Sequence, residues 1–183
     1  MIESTEFDKI YGELMNRLEK DERPHLELSD DVLNQIKNLW TNALETQDNQ
    51  RINSIMCVLD YTRHTYDLFD DHFYQTLEST LSHTTLVFTL GASWKHMLGR
   101  WSRSGDRITM RYIEILRTFL NSKNHELVEW SLRTIDQIGP QGRLLQKEIA
   151  QNKMKLKSLI NPRAKAITQL VEMFEKRWSH HGR

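Results

Sequence analysis

The chain has 183 residues, with Lys/Arg and Asp/Glu balanced at 25 each and a formal net charge of zero, which excludes polyanion binding by bulk electrostatics. A chain of this length folds as one domain without staples. Cys57, the one cysteine, excludes an internal disulfide and fits a reducing compartment. With no basic-flanked apolar leader and no run of about 18 apolar residues, the sequence points to a soluble, cytoplasmic protein without a membrane span.

The charge is unevenly spread. Residues 1–48 hold 5 Lys/Arg against 12 Asp/Glu, residues 49–139 hold 10 against 10, and residues 140–183 hold 10 against 3. Solvated helix faces account for most charge runs. The alternative use of the basic end is a surface that meets an acidic partner.

Only three prolines, and glycines that sit mostly at plausible helix ends, leave nearly the whole chain reading with a period of 3.6, which predicts an all-α fold. The first helix carries Phe7, Ile10, Tyr11, Leu14 and Leu18 on one face, with Thr5 and Asp8 spaced as a capping box. It stops near "DERPH", because Pro24 disfavours helix at the residue before it. At "LSDDVL", Ser29 is the cap of the next helix, and Asp30 and Asp31 suit its positive end. Further helices are predicted over 30–46, 49–64, 70–82, 85–102, 106–122, 124–138, 142–160 and 162–179. At the last, Asn161 caps and Pro162 takes the first helical position.

Short connections make these helices into hairpins, and the hairpins superimpose on one another. Placing Ile52, Val87 and Val128 in register aligns Met56, Gly91 and Leu132, then Leu59, Trp94 and Ile135. The stretch "VEWSLRTIDQIG" resembles the second helix of a HEAT repeat, with Val128, Ser131, Leu132, Ile135, Ile138 and Gly139 in the positions of that pattern. The resemblance implies a HEAT-like α-solenoid of stacked antiparallel hairpins. Residues 1–28 then form an N-terminal capping helix, 29–139 three hairpins and 140–183 a basic C-terminal helix pair. Glu129 stands where the pattern has Arg, and the first helices lack proline, so an irregular helical bundle stays open as the alternative.

In a stack of this kind, the resemblance implies that the second helices line a concave groove. Positions opposite their apolar stripes then fall in rows: Ser54, Thr89 and Trp130; Tyr61, His96 and Gln137; Cys57, Ala92 and Arg133. Aromatic and Arg side chains are the residues in which interaction hot spots are enriched. The candidate partner-binding set is therefore Tyr61, His96, Arg100, Trp130, Arg133 and Gln137, and the leading function is a non-enzymatic adaptor that receives a peptide or helix. A second candidate surface is the basic stretch "WKHMLGRWSRSGDRITMR", with Lys95, Arg100, Arg103, Arg107 and Arg111. It suits an acidic protein segment or, as the alternative function, nucleic acid, in an architecture similar to the HEAT-like alkylpurine DNA glycosylases. Trp94 and Trp101 within it fall on the apolar stripe and read as core.

No catalytic or cofactor signature is present. Asp67, Asp70, Asp71 and His72 in "DLFDDHF" read as helix caps rather than metal ligands, and no His-x3-His pair lies on a helix face. His180 and His181 sit at a chain end. Cys57 has no basic neighbour to activate it and reads as an inert, small apolar residue. No metal and no cofactor are expected.

Overall fold

A computed structural model describes residues 5–155 and 162–179. These residues contain no β-strand, and the regular structure is helical: α1 (Glu6–Leu18), α2 (Asp30–Glu45), α3 (Asn49–Asp60), α4 (Asp70–Leu77), α5 (His83–Ser93), α6 (Gly99–Ser104), α7 (Met110–Leu120), α8 (His125–Gln137), α9 (Gln146–Lys155) and α10 (Pro162–Ser179). One π-helical turn, Trp94–Leu98, joins α5 to α6. Short 3-10 segments precede α4 and α9. The all-α expectation therefore holds among the described residues. The Asn161 cap, the end of the 142–160 helix and the His180–His181 pair lie outside them.

The helix starts follow from local chemistry. Thr5 and Asp8 form the reciprocal capping box, Ser29 accepts from Val32 N–H, and Asn124 accepts from Leu127 N–H at 3.0 Å. Each satisfies amide donors that the first turn leaves without intrahelical partners. Helix ends fall earlier than periodicity suggests. The hydroxyl of Thr62 lies 2.7 Å from Leu59 O beyond the end of α3, and that of Ser79 lies 2.6 Å from Thr76 O beyond the end of α4. Hydroxyl side chains that bond the last carbonyls compete with helix continuation.

The chain clusters into two compact units, Met1–Arg100 and Trp101–Arg183. In the first, α2 packs on α3 and α4 packs on α5; α3 also packs on α5, and α2 on α4. Helix α3 is thus covered by α1, α2 and α5, and Ile52, Ile55, Val58 and Leu59 are fully buried. Trp40 anchors this core. Its indole is inaccessible to solvent, stands edge-on to Phe73 with centroids 5.0 Å apart, and donates to Thr76 Oγ1 at 2.8 Å. A charged tie joins α1 to α3, where Arg51 Nη1 donates to Asp8 Oδ1 at 2.5 Å. That hydrogen bond, chiefly, holds the Asp8 carboxyl below its ordinary range, against the opposing effect of burial.

In the second unit, α7 packs on α8 and α9 on α10, while α8 also packs on α10 and α7 on α9. Leu116, Leu132, Ile135, Ile167, Val171 and Phe174 form its core. Gly142 is where this core is tightest. A β-carbon there would lie 2.8 Å from Ile135 Cγ2 and 3.3 Å from Ile135 O, so the 3-10 segment Gly139–Leu145 can approach α8 only without a side chain at that position.

Candidate functional site

Helix α8 carries the most exposed of the expected recognition residues. Its apolar arc of Leu127, Val128, Ser131, Leu132 and Ile135 is buried. Trp130, Arg133 and Gln137 lie on the opposite side, all exposed, with Trp130 at 39% of its accessible area. Spacings of three and four residues place them in one stripe with Glu126. The flanking charges are pinned: Arg133 donates through Nε and Nη2 to Glu129 Oε1 at 3.0 and 2.7 Å. Arg163 of α10 lies 2.9 Å from Glu126, and Arg177 lies 2.7 Å from Asp136. An indole has only two side-chain torsions, so it loses little freedom when a partner covers it.

In the first unit, the structure corrects the sequence reading of α5. Residues expected to face outward are buried there: Thr89 and His96 completely, and Ala92 to 2% exposure. Trp94, expected in the core, is 36% exposed, and Phe88 is 51% exposed. Val87 stays buried, and the helix is turned by roughly a third of a rotation from the assumed register. The reason is composition: in "HTTLVFTLGAS" the polar Thr85, Thr89 and Ser93 are themselves buried, and the helix packs on α3 and α4, so polarity does not mark its exposed face. Ser54 on α3 is likewise buried, because α5 covers that side.

His96 is therefore a structural histidine and does not line an exposed surface. Tyr66 N–H donates to its Nδ1 at 3.1 Å, which leaves Nε2 to carry the proton and donate to Leu59 O at 3.0 Å. Tyr66 and Phe73 stack on the ring. Burial lowers its pKa to about 4; the bond to Leu59 opposes the shift, and the charges of Lys95 and Arg100 add to it. Both ring nitrogens are spent on backbone groups, so the side chain fastens the 61–66 connection to α3.

Lys95 and Arg100 are also engaged internally. Lys95 Nζ donates to the carbonyls of Asp60 at 2.7 Å and Leu59 at 3.4 Å, and to that of Thr62. It is an ammonium cap on the C-terminus of α3, where the helix dipole favours a cation. Burial lowers its pKa, opposed by Asp60. Arg100 pairs with Asp70, and both side chains are about three-quarters covered. Burial raises the Asp70 carboxyl, and the bond to Arg100 opposes this. Tyr61 is half-buried as the residue that closes α3.

Periodicity did not reveal a cleft of about 580 Å³ beside Tyr61. Leu26 N–H donates to Tyr61 O and Arg63 N–H to Leu26 O, each at 2.8 Å, a single parallel bridge between Leu26 and Thr62. Thr62, itself buried, lines the cleft together with His25, Glu27, Tyr61, Arg63 and Lys95. The one sequence signal for it was Pro24, which forces extended backbone ahead of it and ends any helical reading.

In the second unit, Arg103, Arg107 and Arg111 are exposed. Trp101 is half-buried and edge-on to Tyr112 at 6.2 Å. Among the described residues, no group of three or more His, Cys, Asp or Glu side chains is placed to hold a metal ion. Burial pushes the Cys57 thiol up, with Asp60 adding to the shift, which disfavours the reactive thiolate. Among the described residues, no helix is long and apolar enough to cross a membrane. Comparison of the chain with protein-family models, curated proteins and solved structures gives no match.

Proposed function

We propose that this protein is a non-enzymatic, HEAT-like helical-repeat adaptor that binds a protein partner through the exposed stripe of α8. The single observation that carries the reading is Trp130: a large aromatic side chain left 39% exposed, one turn from an Arg133 held by Glu129. Buried at an interface, such a side chain contributes more than most others. The repeat architecture draws support from the packing within each unit, where first helices of successive hairpins meet each other and second helices do the same (α2 with α4 and α3 with α5; α7 with α9 and α8 with α10). Stacked hairpins pack in this way by construction. The lone, burial-suppressed thiol fits a reducing cytoplasm.

The test compares affinity capture by the intact chain with capture by Trp130→Ala and Arg133→Glu. Trp130 is about three-fifths covered, so its truncation costs about 1–2 kcal/mol of stability and leaves the fold intact. The reading expects loss of a specific captured protein by Trp130→Ala and weakening by Arg133→Glu. If both variants stay folded and capture the same protein undiminished, α8 is not the binding surface.

A further inference from the structure

The division between the two units separates charge more sharply than composition suggests. Residues 1–100 contain 9 Lys/Arg and 17 Asp/Glu, a net of −8, and residues 101–183 contain 16 and 8, a net of +8. In the second unit, two aliphatic side chains are exposed, Met110 at 57% and Leu144 at 51%. Both lie on the α7 side of the unit. Ile108 N–H donates to Gln141 Oε1 at 2.9 Å, and Arg117 Nη2 donates to Leu144 O at 3.1 Å. The 3-10 segment Gly139–Leu145 therefore runs along the first two turns of α7. Arg107, Arg143 and Lys147 are exposed around it. The carboxylates of this face are already engaged: Glu114 and Glu148 are both held by Arg117, and Asp106 accepts from Ser104 Oγ at 2.6 Å.

We infer that this face, formed by Met110 and Leu144 within the basic rim of Arg107, Arg143 and Lys147, is a docking surface for an acidic amphipathic protein segment. The net charge of the unit and the three exposed cations of the rim fix the sign of the partner, since like charges placed on this rim are repelled and opposite ones are drawn in. The two aliphatic side chains give the segment apolar anchor points, and the unbranched thioether of Met110 adapts to the shape it meets. Nucleic acid fits less well, because Met and Leu offer no ring on which a base can stack. A lipid surface also fits less well. Interfacial binding needs the continuous apolar face of a helix, and that of α7 is spent in the core through Ile113, Leu116 and Leu120. This surface is separate from the α8 stripe and does not rest on it.

The test uses the full chain and four defined probes: a fluorescent helical peptide with Glu on its polar face and Leu at i and i+4, the same peptide with Lys for Glu, phosphatidylserine-containing vesicles, and a DNA duplex. The acidic peptide is expected to bind, the Lys peptide to fail, and affinity to fall about tenfold or more between low and high salt. The double variant Arg107→Glu/Arg143→Glu should weaken the acidic peptide about tenfold or more. Met110→Ser should weaken it at every salt concentration, and Trp130→Ala should leave it unchanged. Equal binding of the two peptides, tighter binding to vesicles or DNA, or insensitivity to the rim and Met110 variants overturns the inference. Salt-reversible dimerisation abolished by the same variants overturns it in favour of the acidic unit of a second copy.

Discussion

Replacing His96 by phenylalanine keeps a ring between Tyr66 and Phe73 but removes both of its hydrogen bonds. Tyr66 N–H then loses its partner at 3.1 Å, whereas Leu59 O, which loses a donor at 3.0 Å, keeps those of Thr62 Oγ1 and Lys95 Nζ. Leaving that one amide unsatisfied costs about 1–3 kcal/mol at pH 7. The pH dependence is the sharper part. With a folded pKa of about 4 against about 6.5 in the unfolded chain, the unfolded state takes up a proton that the native state refuses. Stability from this group is therefore complete above about pH 6.5 and is lost as pH falls towards 4. The loss amounts to about 3 kcal/mol, at roughly 1.4 kcal/mol per unit of the difference. His72, whose pKa is also lowered, chiefly by burial, titrates in both proteins and cancels in the comparison. Urea denaturation of the wild type and His96→Phe at half-unit intervals from pH 7.5 to 4 should show two curves about 1–3 kcal/mol apart at neutral pH that converge as the medium becomes acidic. A constant separation across that range would refute the buried, neutral His96.

Three other outcomes follow from the packing. Ile135→Ala, a truncation of a fully buried side chain, should cost about 2–5 kcal/mol, whereas Gln137→Ala on the exposed side of the same helix should cost almost nothing; equal losses of denaturation midpoint would mean that the face is misassigned. Gly142→Ala should destabilise by about 1–3 kcal/mol because its methyl meets the stiff β-branched Ile135 at 2.8 Å, and calorimetry should find that penalty reduced in an Ile135→Ala background. Asp8→Asn should cost about 1 kcal/mol at neutral pH by weakening the α1 cap and the partly covered pair with Arg51. Because the Asp8 carboxyl is held low, its contribution is present above the ordinary carboxylate range and is lost as acid protonates it, so the two melting curves should merge at low pH.

Helix existence and most helix starts were legible because their signals are local: Thr5, Ser29 and Asn124 are hydroxyl or amide caps just ahead of periodic runs. The face of α8 was legible for the same kind of reason, since its polar and apolar residues segregate cleanly. The face of α5 was not. Thr85, Thr89 and Ser93 are buried polar residues, and Thr89 satisfies its hydroxyl on the carbonyl four residues back, so a polar side chain there does not mark solvent. The π turn that follows, where Gly99 N–H reaches back to Trp94 O, adds a second departure from 100° per residue. Lys95 was misread for a different reason: its acceptors are the carbonyls that end α3, some 35 residues earlier, and no local pattern encodes that meeting. The start of α7 moved to Met110 because Gly105 adopts φ +77° and Thr109 supplies the cap.

The most direct test of the proposed role is site-specific photo-crosslinking in cells, with a benzophenone amino acid at Gln137 on the exposed stripe of α8 and, as control, at the exposed Glu45 of α2. The account predicts discrete protein adducts from position 137 that disappear in the Trp130→Ala background, with none of the same mass from position 45. Adducts that survive Trp130→Ala, that form equally from both positions, or that consist of nucleic acid would contradict it.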